Sequence, residues 1–249
     1  MKHLALIIAL LISHGMFSQK LTQEDLTTIE LSKHKKIVKQ ALTYNDAQTA
    51  INSMHSIVAL EGEKSTYKDS LAITYYNIGN YVSSHLLAKE LLKEKSENIQ
   101  LLEINAVSLQ NLGATKDAIE AYEILFSKTK NMAHGYQLAM LQYGIKRLTE
   151  AQNTVLQALQ CDDIENAYIQ FAIDKTKNQN VPLKAAAYNL QGLIAFELKD
   201  NTTAKQAFDE ALKIMPEFAL ATQNTNAVTI TMQNEAQLSR SANKSDTDN

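Results

Sequence analysis

The sequence predicts an all-α fold assembled from repeated pairs of helices, and three observations lead there. The first is composition. Only 7 of the 249 residues are Gly and 2 are Pro, too few turn-formers for a sheet-rich chain, while Leu, Ala, Ile, Lys, Gln and Glu dominate and favour helix. The second is a period. Val38, Ala72, Ala106 and Ala139 follow one another at intervals of 34, 34 and 33 residues, and self-similarity at a fixed spacing of this size marks a repeat architecture. The third is a second set of small residues at a constant offset. Twelve positions after each of these come Ala50, Ser84, Ala118 and Ala151, and the pair Gly192 and Ala204 shows the same offset. A glycine inside a lone helix costs roughly 1 kcal/mol relative to alanine, so a neighbour must press on that position closely enough to repay it.

From the N-terminus, "MKHLALIIALLISHGMFSQK" places Lys2 before nine apolar residues, Leu4 to Ile12, and then a short polar stretch. The run falls short of the roughly 20 residues that span a bilayer. It has the three-part plan of a secretory signal covering residues 1–18, with cleavage expected near Ser18 and the mature chain beginning at 19. No Cys follows the apolar run to carry a lipid anchor. A helical lead, "EDLTTIELSKHKK", enters the first repeat; Glu24 and Asp25 suit a helix start, where negative charge meets the helix dipole. Repeats are placed at 31–64, 65–98, 99–131, 132–163 and 185–218 within a domain of 19–239. Nineteen positions into each register, Ile57, Leu91, Leu125, Ala158 and Ala211 are apolar, and the next position is always bulky: Val58, Leu92, Phe126, Leu159 and Leu212. Gly79 and Gly113 fall between the helices of their repeats, where the left-handed conformation ends a helix.

Between Ala139 and Gly192 lie 53 residues, 19 more than one repeat. Inside the insertion 164–184, Ile164, Tyr168, Phe171 and Ala172 share one helical face, which predicts an extra, unpaired helix. Asn178 to Val181 reads as a loop, and Pro182 suits the first turn of the next helix. After Pro216, residues 219–239 are expected to form a capping helix in which Phe218, Ala221 and Val228 cover the open face of the last repeat. Residues 240–249 read as a polar, disordered tail.

A 34-residue helix–turn–helix with a small residue in each helix resembles the tetratricopeptide repeat. The stretch 185–218 carries the resemblance best: Tyr188 at the first aromatic position, Gly192 at the small site of the first helix, Ala204, Phe208 and Ala211 in the second, and Pro216 closing the unit. The resemblance implies a right-handed superhelical solenoid of about five repeats, with one extra helix and a C-terminal capping helix, whose first helices line a concave surface. Groove positions of that family, carried over residue by residue, select Lys35, Lys39, Tyr76, Asn77, Asn111, Tyr136, Met140, Tyr143 and Phe196 as partner-binding candidates. A Lys and Asn clamp for a peptide carboxylate is not supported, because Asp69 and Glu103 stand where cations would help. The aromatic and Met content suits a peptide in extended or helical form.

Chemistry finds no foothold. His34, His55, His85 and His134 fall at different repeat positions, so no two make a helical metal pair. The sequence has no Gly-rich phosphate loop, nucleophile elbow or calcium loop. Cys161, the only cysteine, sits beside Asp162 and Asp163; their charge raises a thiol pKa, the wrong direction for a nucleophile. A formal net charge of −3 gives no basic footprint for nucleic acid, and "KHKK" at 33–36 is a solvated face. The expected function is an exported, non-catalytic scaffold that binds a peptide or protein without cofactor or metal, in the periplasm or outside the cell if the host is bacterial. Membrane contact is confined to the signal during export. The alternative is a structural accessory subunit of a cell-envelope complex.

Overall fold

The computed structural model describes residues 21–162, 166–173 and 175–247, with side chains placed as far as residue 240. The signal expected at 1–18 lies outside the described residues. Among the described residues no helix is long and apolar enough to cross a membrane.

The chain divides into two compact units, Met1–Leu87 and Ala88–Asn249. The first contains α1 (Gln23–Thr43), α2 (Ala47–Glu61), α3 (Tyr67–Asn77) and the start of α4 (Tyr81–Leu91). Thr22 and Asp25 form a reciprocal capping box that starts α1, so the acidic start expected there is a cap. Asp46 caps α2 through the Thr49 amide. Val38, Ala50, Met54, Ile57 and Leu71 make the core of this unit. In the second hairpin the two small positions meet directly: the Ser84 hydroxyl donates to the Ala72 carbonyl at 3.0 Å, fully buried.

The second unit contains the end of α4, then α5 (Ile99–Asn111), α6 (Thr115–Thr129), α7 (Met132–Gly144), α8 (Leu148–Leu159), β1 (Tyr168–Ala172), β2 (Asn178–Pro182), α9 (Leu183–Glu197), α10 (Asn201–Ile214) and α11 (Ala219–Thr247). Helices pack as sequential hairpins, α5 on α6, α7 on α8 and α9 on α10, and each hairpin stacks on the next. The fold class is therefore the all-α helical-repeat solenoid. Ala72, Ala106, Ala139, Ala50, Ala118, Ala151 and Ala204 are all completely buried, as the offset of small residues predicts. The glycine takes a more specific form. A Cβ on Gly192 would lie 2.4 Å from the Phe208 ring. The ring of the second helix fills the place of the missing side chain, while Ala204 clusters with Ala195, Phe208 and Val228.

The turns inside the hairpins share one backbone device. Asn45, Gly79, Gly113, Lys146 and Lys199 stand at one register position, and all have positive φ, between 57° and 75°. Glycine fills it twice; elsewhere Asn or Lys accepts the left-handed conformation.

Three expectations are corrected. Residues 168–172 and 178–182 form an antiparallel β-hairpin rather than an extra helix and a loop, with Tyr168 opposite Pro182 and Ala172 opposite Asn178. Ile169, Phe171 and Val181 turn inward while Tyr168, Gln170 and Asn180 stay exposed, and aromatic and β-branched side chains fit such a half-buried pleat. The hairpin is held from outside itself. Phe171 packs on Phe218 with ring centroids 5.2 Å apart, and the Gln179 side chain donates to the Glu217 carbonyl at 2.6 Å and accepts from the Ala219 amide at 3.1 Å. Pro182 is the N-cap of α9 rather than a first-turn residue. Finally, α11 does not end at 239 before a disordered tail; its backbone is helical to Thr247. Its first half caps the last repeat as expected, with Phe218, Ala221 and Val228 fully buried.

Candidate partner-binding surface

The candidate residues lie on the first helices of the hairpins, and their surroundings divide them into three groups. Lys39, Asn77 and Met140 are exposed on α1, α3 and α7.

A second group is at the surface but engaged with its own chain. Lys35 pairs with Glu61 at 2.8 Å and lies 5.9 Å from the Tyr67 ring centre. The hydrogen bond from Lys35, with that from Ser65, holds the Glu61 carboxyl below its ordinary range. Asn111 donates to the Val107 carbonyl of its own helix at 2.8 Å. Tyr76 is half-buried and meets Tyr81 edge-on, with ring centres 6.3 Å apart. Phe196 is half-buried against the Ala204–Phe208 cluster. Tyr143 donates its hydroxyl to Glu197 at 2.7 Å, and Lys146 binds the same carboxylate at 2.7 Å while lying 5.3 Å from the Tyr143 ring centre. Burial, then the Glu197 bond, pushes the Tyr143 hydroxyl up to about 12. This triad ties α7 to α9. No local pattern points to it, because Lys146 sits in a turn and Glu197 lies 51 residues away from it.

Tyr136 is the third group, and a correction. It is only 3% exposed, inside the core with Met132, Ala139 and Leu190, and burial pushes its hydroxyl up to about 12. One face of a first helix must pack on the neighbouring hairpin, and Tyr136 lies on that face. Asn189, at the same register position of the last repeat, is also buried and accepts from Asn224 of α11 at 2.9 Å. The chain's own terminal helix occupies that place.

The groups considered for chemistry stay apart. His34, His55, His85 and His134 lie on α1, α2, α4 and α7. His55 meets the Tyr75 hydroxyl at 2.9 Å, and His134 meets the Thr129 hydroxyl at 2.9 Å. Among the described residues no three His, Cys, Asp or Glu side chains gather to hold a metal ion. The Cys161 thiol is pushed up, chiefly by burial; nearby Lys130 opposes and Asp162 adds to the rise. The expected direction stands, but desolvation is its main cause.

Sequential helical hairpins with paired small residues and left-handed inner turns make a helical-repeat fold similar to that of tetratricopeptide repeat proteins. Solved structures agree. YrrB, described as a TPR protein with an unusual peptide-binding site, superposes with a TM-score of 0.60 at 16% identity, over 78% of this chain and 90% of its own. A tetratricopeptide repeat protein from Parabacteroides merdae gives 0.58 at 13% identity, over 86% and 78%. MamA from Desulfovibrio magneticus RS-1 gives 0.57 at 14%, over 76% and 97%. At these identities the likeness establishes the fold. No protein-family model and no curated protein matches the chain.

Proposed function

We propose that this protein is an exported, non-catalytic scaffold that captures a peptide or protein segment on the concave row of its first helices, without cofactor. The observation that carries the reading is the exposure of Lys39, Asn77 and Met140 at the family's groove register. The peptide-binding site named for YrrB supports it by analogy of fold. Export rests on the sequence of residues 1–18.

The test places a photo-crosslinking amino acid at Met140 and, as a control, at Gln206 of α10, in intact cells. Adducts of discrete mass at Met140 and none at Gln206 are expected, on a chain whose mass corresponds to a start near residue 19. Equal adducts at both positions, or none at Met140, would remove the first-helix row from consideration. The second reading, an accessory subunit of a cell-envelope complex, draws on the exposed Ile230 and Leu238 of α11. It predicts one stoichiometric complex in place of varied clients.

A further inference from the structure

The β-hairpin leaves one backbone edge open. The Leu183 amide donates to the Ala167 carbonyl at 2.8 Å, and the Ile173 amide to the Lys177 carbonyl at 2.9 Å. With the register of the two strands, these bonds place Ile169 and Phe171 at hydrogen-bonded pairs, so their amides and carbonyls face β2. Those of Tyr168, Gln170 and Ala172 face away from it. Among the described residues no hydrogen-bond partner reaches these three outward amides, and all three residues are exposed.

The outer edge of β2 is different. Pro182 stands at an outward position there and has no N–H to offer. The Gln179 side chain also ties that strand to Glu217 and Ala219. Proteins commonly blunt a strand edge with Pro, Lys or another charge. β1 reads "YIQFA" and carries none of these.

What fits this edge is the same edge again. Antiparallel pairing of two copies about Gln170 sets that residue beside its own counterpart. Tyr168 then falls opposite Ala172, large against small. On the inner face Ile169 falls opposite Phe171, a β-branched residue against an aromatic one, which is a favourable cross-strand pair. Charge selects the same direction. The chain leading into β1 carries Asp162, Asp163 and Glu165, while the turn leaving it carries Lys175 and Lys177 against Asp174. Antiparallel copies put the acidic approach of one beside the basic exit of the other; parallel copies would put like beside like.

We infer that β1 pairs edge to edge with β1 of a second copy of this chain, on a two-fold axis at Gln170. The product is a four-stranded antiparallel sheet in the order β2–β1–β1–β2. A two-fold contact of this kind uses the same patch on both copies and closes after two, so the edge is covered and does not propagate. The contact is small and the association weak. The candidate residues of the first-helix row take no part in it.

The experiment uses the protein as cells produce it from the full-length sequence. Sedimentation equilibrium from about 10 µM to about 1 mM should show the mass rising from monomer toward dimer. Over the same range, hydrogen exchange should slow at the amides of Tyr168, Gln170 and Ala172 and stay unchanged at Ile169 and Phe171, which already bond to β2. Gln170→Lys and Gln170→Glu each set like charges face to face and should weaken the dimer about fivefold or more. Mixing the two variants should restore it. The Ile169 and Phe171 amides report that each variant keeps its hairpin. A monomer throughout the range, a dimer that leaves the three outward amides unslowed, an undiminished dimer in Gln170→Lys, or a mixture no tighter than either variant overturns the inference. A chain that stays monomeric while acetyl-Thr-Val-Thr-Val-Thr-amide slows those amides also overturns it, and makes β1 an acceptor for a foreign strand.

Discussion

Gly192 and Phe208 show how a single atom sets a contact. The aromatic ring lies where a methyl group would be, so adding that methyl forces two filled volumes into one space. Overpacking of this kind costs roughly 1–3 kcal/mol. Gly192→Ala should lower the thermal midpoint, and Phe208→Leu in the same chain should recover part of the loss, because the smaller side chain vacates the site. A double-mutant cycle by urea unfolding measures the coupling; strictly additive losses would mean the two residues do not oppose each other. Ala204→Leu should also destabilise, through Ala195 and Val228, in keeping with its complete burial. That Gly192 and Ala204 are small for packing reasons was legible in the sequence. Which residue presses on Gly192 was not, since a spacing of 12 names a register position and the ring that fills the gap sits four residues further on.

At the scale of the element, the inner turns are legible only where glycine marks them. Gly79 and Gly113 advertise a left-handed residue; Asn45, Lys146 and Lys199 adopt the same backbone without the signal. For a non-glycine residue that conformation costs roughly 1–2 kcal/mol, partly offset by the flexibility glycine adds to the unfolded chain. Lys199→Gly should therefore raise stability by about 0.5–1 kcal/mol, read as a higher urea midpoint with an unchanged slope. A lower midpoint would show that the lysine contributes more than its strain. The hairpin β1–β2 was illegible for another reason. Tyr168, Phe171 and Ala172 fit a helical face as well as a strand, and short apolar runs do not separate the two periods. Partners distant in sequence decided it: Phe218 beneath Phe171, and the Glu217–Ala219 backbone on Gln179. Tyr136 failed as a surface candidate on the same ground, because register assigns a helix position and only the neighbouring hairpin decides whether it is covered.

For the molecule as a whole, the last hairpin depends on its cap. Phe218, Ala221 and Val228 are fully buried, whereas residues 233–240 are exposed throughout. Ending the chain after Ala236, which retains the Asn201–Glu235 hydrogen bonds, should change stability by less than about 0.5 kcal/mol. Ending it after Glu217 should uncover the Ala204–Phe208 cluster and abolish cooperative unfolding of the second unit, seen as a lost calorimetric transition and aggregation. A cooperative transition surviving that deletion would show that α11 is not needed as a cap.

The sequence by itself determined the helical class, the 34-residue period, the paired small positions and the need for a terminal cap. All of these follow from local propensity and from spacing along one chain. Only the tertiary structure decided the β-hairpin, the burial of Tyr136 and the Tyr143–Lys146–Glu197 tie. The physical reason is common to them: each depends on which atoms come within a few ångströms from elsewhere in the chain, and a periodic pattern fixes a residue's face without fixing what that face meets.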